Sequence, residues 1–437
     1  MSALRSASPW VVAGVVSAAA GFVALIIAAR SLSVADNAAF LVFWSVVFAL
    51  TGSLSGMQGE TSRAMTVPDA DGPAGVGSDG PGADVKPDGT GGVRSPRGAR
   101  LMTVSLGVGV LCAVAVVGTG FWWAPALLGS GPAGGVAALL PIGLALVVYA
   151  GQSGAVGGLI GQRDAVGAAT IVGTEGAGRV LAFGVVGLAA LGTSGFWWAA
   201  VVPMVLWVGV LAARGAAGHV WEMRAHEDAR RFVRNCLLAV GGGAGTSLLV
   251  NGYPTFLKAT NPSADPGDLA RTILAITLTR APLLMPLLAF QGLVVSYLVR
   301  RLGRLRPTVA RLLAVLWAGV AVVAAGMWLL GPWVMRTFYG PAYDVDGVFM
   351  ALVTVGAGCT ATLVVAAATA LSIGRHAAFV GAWWVGTGAS LALLLVPQPL
   401  AAKVLLSLMI GPLVGTAVAL LALRGRSQTD ADLTTAR

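Results

Sequence analysis

The feature that most constrains this chain is a series of long apolar segments, each close to the length that crosses a lipid bilayer. We place twelve predicted membrane-spanning helices at residues 10–29, 38–57, 101–123, 136–159, 165–189, 194–213, 235–257, 270–299, 308–330, 345–372, 377–396 and 400–423. A helix of about 20 apolar residues spans the hydrocarbon core. Only 11% of the 437 residues are charged, whereas soluble domains carry about 25%. The sequence therefore predicts an all-α, polytopic membrane protein.

The positions of the basic residues predict which side of the membrane each connection faces. If the N-terminus is cytoplasmic, 21 of the 28 Lys and Arg residues fall in cytoplasmic connections, tails or span ends, and Arg179 and Arg280 fall well within spans. Cytoplasmic connections carry an excess of Lys and Arg, so both termini are predicted to be cytoplasmic. Orientation and contact with anionic membrane lipids also explain the net charge of +10, and no nucleic acid is expected as a partner.

The connections divide the chain into regions of different composition. Residues 66–99 are almost all Gly, Pro, Asp and other small residues. Such a stretch cannot bury a core, which predicts a disordered cytoplasmic loop. The predicted domains are an N-terminal six-helix lobe (1–213), a cytoplasmic linker (214–234), a C-terminal six-helix lobe (235–424) and a cytoplasmic tail (425–437).

Similar short strings recur in the two predicted lobes. ALLGSGPAGG precedes a span that ends in GGLIGQRDAVGAA, and TFYGPAYD precedes a span that ends in TALSIGRHAAFVGA. Gly129 and Gly340 are 211 positions apart, and Arg163 and Arg375 are 212 positions apart. Two landmarks with nearly the same offset predict a six-plus-six duplication. Because each half has an even number of spans, the repeat is predicted to be parallel, about an axis along the membrane normal.

Three stretches resemble a known family. AARSLSVADNAAFLVFWSVVFAL (28–50) is similar to the first outer turn and second helix of bacterial polysaccharide flippases of the MATE-like multidrug/oligosaccharidyl-lipid/polysaccharide exporter superfamily; Arg30, Asp36 and Phe40 match that pattern. RTFYGPAYDVDGVFMALV (336–353) is similar to the turn that opens their tenth helix, and SIGRHAAF resembles the turn that closes it. The loop at 66–99 and the scarcity of lysine in the cavity helices depart from the family pattern.

This resemblance implies both an architecture and a function. Two six-helix lobes would surround a central cavity lined by the first, second, seventh and eighth spans. The protein would move a polyprenyl-diphosphate-linked oligosaccharide across the bacterial cytoplasmic membrane by alternating access, for cell-surface polysaccharide biosynthesis. Its expected partners are that lipid-linked oligosaccharide and polysaccharide assembly proteins. A MATE-type or major-facilitator-type ion-coupled exporter of small molecules is the alternative.

Arg280 is the leading candidate for substrate binding in the cavity. A charged side chain near the bilayer centre costs roughly 2.5–3.5 kcal/mol on insertion scales, so it faces a wet cavity or a partner. Its guanidinium suits a diphosphate because it donates paired hydrogen bonds and stays charged; an ion pair with a carboxylate of an adjacent helix is the other reading. Thr277 and Gln291 share roughly its face. Asn251 and Arg30, near outer span ends, fit either substrate contact or interfacial anchoring.

A second buried charge site is predicted in the fifth span. Glu175 and Arg179 are four residues apart, so they lie on one helix face and can pair. Glu175 is the only carboxylate within the predicted membrane core. The two residues form either an ion-coupling site or a closed pair at a helix contact, and the small residues of TEGAG favour the pair.

The sequence offers little for catalysis or for cofactors. The largest outer loop, 256–270, has Asp265 and Asp268 but no histidine or metal-ligand set, which disfavours a membrane-embedded glycosyltransferase or polymerase. There is no GxxxxGK[ST] motif for nucleotide binding. The three cysteines are far apart and lack metal-ligand spacing. We therefore expect a protein that is not an enzyme, with no catalytic residues, metal or cofactor.

Overall fold

The computed structural model describes residues 2–65, 98–129, 135–289 and 291–435, and these ranges are almost entirely helical. The α-helices are α1 (Ser2–Ser31), α2 (Val34–Met65), α3 (Leu101–Leu128), α4 (Leu139–Gly161), α5 (Ala165–Leu188), α6 (Gly192–Val201), α7 (Leu206–Ala213), α8 (Ala217–Glu222), α9 (Ala229–Val250), α10 (Tyr253–Thr260), α11 (Pro266–Ala289), α12 (Gln291–Val299), α13 (Leu305–Val334), α14 (Gly347–Ser372), α15 (His376–Leu394) and α16 (Leu400–Thr435). Of the predicted loop 66–99, all but the last two residues lie outside the described ranges.

The helices confirm the predicted fold class. Eleven stretches of the described chain are helical, long and apolar enough to cross a membrane, and each overlaps one predicted span. The predicted eighth span, 270–299, corresponds to α11 and α12, which flank Phe290, a residue outside the described ranges. The count of twelve and the orientation of the termini stay predictions.

The predicted seventh span, 235–257, is wrong as a continuous helix. The chain leaves the helix at Asn251 and Gly252, so that α9 and α10 are separate. Pro254 stands near the start of α10 and has no backbone N–H. It therefore cannot bond the carbonyl four residues earlier, that of Val250. This break leaves main-chain carbonyls at the end of α9 for other donors.

The predicted repeat has a backbone counterpart at its first landmark. Gly129 ends α3 with φ 93° and ψ 160°. Gly340, 211 residues later, ends the turn after α13 with φ 120° and ψ 164°. Residues with a side chain rarely adopt this positive-φ conformation, so both positions require glycine for the same reason.

At the second landmark the structure corrects the predicted alignment by one residue. Arg163, with φ 66°, corresponds in conformation to Gly374, with φ 77°, and not to Arg375. Asp164 (φ −84°, ψ 69°) precedes α5 as Arg375 (φ −87°, ψ 69°) precedes α15. The offset is therefore 211 at both landmarks, which is more regular than the sequence indicated.

The helices pack mainly within the N-terminal half (α1–α7) and the C-terminal half (α9–α16). In the first half α1 packs on α5, and α2 and α3 pack on α4; in the second, α14 and α15 pack on α16. Between the halves, α2 contacts α9 and α11. The approach of α2 to α9 is close because Gly56 lies against the main-chain carbonyl of Ala239, where even a Cβ would be 2.2 Å from the oxygen. Small residues allow such close packing in membrane proteins.

The linker between the halves is fastened to the end of α2. Arg63 contacts the carboxylates of Glu60 and Glu227, and the Asn235 amide donates a 3.0 Å hydrogen bond to Glu227. The His226 N–H donates to the carbonyl of Ala64. These contacts lie on the predicted cytoplasmic side and join α2, the linker and the start of α9.

Candidate functional site

A cavity of about 910 Å³ lies between the two halves. It is lined chiefly by α1, α2, α9 and α11, the helices of the first, second, seventh and eighth predicted spans, with contributions from α5, α12, α14 and α15. Its lining includes Gly14 near the start of the first predicted span, Leu371 near the end of α14 and His376 at the start of α15. All three lie toward the predicted cytoplasmic side, so the cavity extends from the middle of the spans to that side.

Polar contacts between the halves join them at the opposite, predicted outer, end. The Arg30 guanidinium donates to the main-chain carbonyls of Thr337 and Phe338, the second at 2.8 Å. The buried amide of Asn37 donates a 2.9 Å hydrogen bond to the hydroxyl of Tyr343. Arg30, a candidate for substrate contact in the cavity or for interfacial anchoring, is not among the described residues that line the cavity; it joins the N-terminal half to the C-terminal half.

Arg280 lies on the cavity wall and is only 5% exposed. Its Nη1 donates to the carbonyls of Leu249 and Val250, at 3.2 and 3.0 Å. These are carbonyls at the end of α9, where the break before Pro254 leaves acceptors free and where the helix dipole is negative. The guanidinium carbon also lies 5.1 Å from the ring centroid of Tyr253.

The remaining donor atoms of Arg280 are unpaired within the described ranges. Nε and Nη2 are buried and have no hydrogen-bond partner among the described residues. None of the ion pairs in the described ranges includes Arg280. Within the described ranges, Arg280 therefore does not pair with a carboxylate of an adjacent helix, which was the alternative interpretation. Two donor atoms of this buried cation on the cavity wall therefore lack an acceptor in the described part of the chain.

The structure also places three other predicted binding residues on the cavity wall: Thr277, Gln291 and Asn251. The Thr277 hydroxyl bonds to its own helix at Ile273. The Asn251 amide donates to the Ser247 hydroxyl at 3.2 Å. That these residues bind a substrate stays a prediction.

Glu175 and Arg179 form a buried ion pair on α5. The other carboxylate oxygen of Glu175 accepts a 2.6 Å hydrogen bond from the amide of Gln152 on α4. The Arg179 guanidinium carbon lies 5.0 and 5.8 Å from the ring centroids of Phe48 and Trp44. The geometry is that of the closed pair, and Arg179 lines the central cavity as well.

Sequence reasoning missed the residues that complete this region. Gln152 is the amide residue of the string AGQSGA within an apolar span, and an amide in a membrane core is the signal that could have identified it. Trp44 and Phe48 are one helical turn apart in α2 and line the cavity. The sequence does not indicate which face of an aromatic-rich helix faces a cavity.

The charges on the cavity wall have one sign. Among the described lining residues, Arg179 and Arg280 are cations and none is Asp or Glu. Since Arg179 is neutralised by Glu175, Arg280 carries the uncompensated arginine charge among the described lining residues.

Two relatives from Mycobacterium tuberculosis match nearly the whole chain. It is 31% identical over 415 residues to Uncharacterized protein Rv1510, covering 93% of this chain and 88% of that protein. It is 30% identical over 416 residues to Uncharacterized protein Rv3630, covering 94% and 90%. The chain belongs to the family of these two proteins. No family model matches the sequence.

Solved structures with the same fold are MATE family transporters of the MOP superfamily. An inward-facing conformation of one such multidrug resistance transporter matches with a TM-score of 0.68 and 15% identity, covering 96% of each chain. An outward-facing conformation matches with a TM-score of 0.65 and 14% identity, covering 98% of this chain and 96% of that one. A MOP superfamily transporter from Pyrococcus furiosus, described as having reversed polarity in its binding pocket, matches with a TM-score of 0.65 and 13% identity, covering 95% of each chain. At these identities the likeness shows the fold.

Proposed function

We propose that this protein is a transporter that moves a polyprenyl-diphosphate-linked oligosaccharide from the cytoplasmic to the outer leaflet of the bacterial cytoplasmic membrane. The single observation that carries the proposal is Arg280, a buried and uncompensated guanidinium on the wall of a cavity between two halves. A charge in such a place is by default part of a substrate or ion pathway. The permanent positive charge, together with Nε and Nη2 donors that lack a partner among the described residues, matches a diphosphate.

The geometry of the cavity fits alternating access. The cavity extends to the predicted cytoplasmic side, where a lipid-linked precursor would enter, and contacts between the halves join its other end. Those contacts are a few hydrogen bonds, which are individually worth about 0.5–1.5 kcal/mol, or about 1.5–3 kcal/mol when one partner is charged. They can break when the halves separate at that end, and the same substrate site would then face outward.

Export of small molecules by a MATE-type mechanism is a second candidate, because the fold is shared with MATE transporters. The sign of the cavity charge separates the two candidates. A cationic drug would meet Arg280 and no unpaired carboxylate among the described lining residues, whereas an anionic headgroup would be attracted. The cavity charge therefore favours the lipid-linked anion.

The test is translocation of a fluorescent undecaprenyl-diphosphate-linked disaccharide in proteoliposomes that contain the purified full chain. The measured quantity is the rate at which the labelled headgroup becomes protected from, or exposed to, a membrane-impermeant quencher. Arg280→Gln removes the charge and one or more charge-assisted hydrogen bonds of about 1.5–3 kcal/mol each, so we expect the rate to fall about 10- to 100-fold at limiting substrate. Arg280→Lys should recover part of this loss.

Lys258→Gln is the matched control. The Lys258 ammonium donates to the carbonyl of Pro262 and does not line the cavity, so removal of this charge should leave the rate near that of the wild type. A wild-type rate in the Arg280→Gln protein would contradict the proposal. Export of a cationic dye by the wild type, with no movement of the lipid-linked sugar, would instead support the MATE-type alternative.

A further inference from the structure

A second, smaller chamber branches from the central cavity into the N-terminal half. It has a volume of about 270 Å³ and lies among α1, α2, α4 and α5. The two spaces share wall residues, among them Ser17, Phe48, Gly52, Arg179 and Asn251. A molecule in the central cavity can therefore extend part of its structure into this side chamber.

Gln152 presents an unused hydrogen-bonding atom on the chamber wall. Its side chain is 4% exposed, its Nε2 donates to Glu175, and its Oε1 has no partner among the described residues. The orientation of the amide is fixed chemically, because an ionised carboxylate only accepts hydrogen bonds. Arg179, 3% exposed, has a buried Nε that likewise has no partner in the described ranges. Two residues of the same wall therefore each have one hydrogen-bonding atom without a partner in the described part of the chain.

The charge balance of the chamber disfavours an ion. One carboxylate oxygen of Glu175 contacts Arg179 and the other accepts from Gln152. The pair is neutral as a whole, so a small cation would find an occupied carboxylate and a neighbouring guanidinium. An anion would be repelled by Glu175. The fitting ligand is neutral and has groups that both donate and accept hydrogen bonds.

We propose that the side chamber is a subsite for one neutral sugar ring of the transported molecule. The proposal rests on the proposed function: the sugar would belong to the substrate whose diphosphate meets Arg280. Hydroxyl groups both donate and accept, and so they can satisfy Gln152 Oε1 and Arg179 Nε together. The hydroxyls and amides of Ser55 and Gln58 also line the chamber.

The size and the aromatic wall agree with a sugar. A volume of 270 Å³ is just below the range of about 300–1,000 Å³ of pockets that hold drug-sized ligands, which suits a single ring and not a chain of them. Phe48 lines both spaces and Trp44 lines the central cavity, with their ring centroids 4.4 Å apart. Aromatic faces at this junction offer apolar area to the C–H faces of a sugar.

Binding of three probes to the purified full chain in nanodiscs tests the subsite. The probes are undecaprenyl diphosphate alone and the same carrier with one glucose or one N-acetylglucosamine. We expect at least one sugar-bearing probe to bind about tenfold more tightly than the bare carrier to the wild type. Gln152→Leu should abolish this gain and leave the affinity for the bare carrier unchanged. Arg280→Gln should lower the affinity of the protein for all three probes.

Two further variants guard against a structural effect of Gln152→Leu. Gln58→Leu alters another wall of the chamber, keeps the bond between Gln152 and Glu175, and should also reduce the sugar gain. Gln162→Leu makes the same replacement just after the end of α4, where Gln162 is exposed and contacts His219, and should reduce nothing.

The outcomes separate the two proposals. If neither sugar tightens binding to the wild type, or if the gain survives both Gln152→Leu and Gln58→Leu, the subsite is overturned while diphosphate binding at Arg280 stands. If Gln152→Leu keeps the sugar gain and changes only how probe affinity depends on pH or on sodium ion concentration, the chamber is an ion site. The sugar subsite is then likewise overturned. If the wild type binds none of the probes, the proposed function itself fails.

Discussion

Tyr343→Phe is a minimal perturbation of the predicted outer closure. It removes one oxygen atom, the acceptor of the hydrogen bond from Asn37. Both side chains are buried, and the Asn37 Oδ1 already lacks a partner among the described residues. In the closed state the variant would leave the Asn37 amide without this bond. When the halves part at this end, water replaces the lost acceptor and the variant resembles the wild type.

The expected size of the effect follows from this difference between states. A buried donor left without its partner destabilises the state that buries it by about 1–3 kcal/mol. The equilibrium between closed and open outer ends should therefore shift about 5- to 150-fold toward the open form. Burial raises the pKa of Tyr343 above its usual value, which is about 10. The hydroxyl is therefore protonated at neutral pH, and the shift should be the same from about pH 6 to pH 8.

Pulsed electron paramagnetic resonance measures the populations directly. Spin labels at Ala35→Cys and Ala342→Cys, both exposed positions near the contact, report the distance between the halves in a background without native cysteines. The long-distance population should rise in Tyr343→Phe. Tyr297→Phe is the matched control, because Tyr297 lies on the predicted cytoplasmic side under Arg301. An unchanged distance distribution in Tyr343→Phe would refute the claim that this hydrogen bond stabilises the closed outer end.

Two further predictions concern stability, read as the midpoint of thermal unfolding in detergent. Gly56→Ala places a methyl group against the carbonyl of Ala239 and should destabilise the protein by about 1–3 kcal/mol; Gly59→Ala on the same helix meets nothing within 4 Å and should be neutral or slightly stabilising. Glu175→Leu leaves Arg179 as an unpaired buried charge and should cost about 3–5 kcal/mol, whereas the double replacement of Glu175 and Arg179 by Leu should cost less than this single one. Equal losses for both glycine variants, or a larger loss in the double variant, would contradict these assignments.

The sequence predicted those parts of the fold that depend on local composition. Apolar length predicted eleven of the spans because hydrocarbon thickness sets helix length. Glu175, Arg179 and Arg280 could be identified as buried charges because a charged residue within an apolar segment has a high free energy of insertion into the membrane and is therefore rare. The partners of these charges could not be predicted from the sequence. Arg280 donates to carbonyls of α9, which are available as acceptors because the helix breaks before Pro254.

The sequence was least informative where the outcome depends on contacts between distant segments. Arg30 matched a family position, but its guanidinium meets carbonyls some 300 residues later in the chain, which no local pattern reveals. The one-residue error in the repeat arose because arginines were aligned, whereas the conserved quantity is the backbone angle that Arg163 and Gly374 share. Gln152 was overlooked because its role depends on α5 lying against α4.

The two candidate binding elements lie on opposite sides of the interface between the halves. Arg280 is carried by α11 and fixed to the end of α9, while the side chamber lies mainly among α1, α2, α4 and α5. In the proposed transport cycle, a ligand held at both places would link the two halves, which would have to rotate apart for the site to face outward. The distance between the phosphate and the sugar of the ligand would then limit how far the two halves can rotate before one of the two contacts breaks. Ligand length, and not affinity alone, would thus select which molecules complete the cycle.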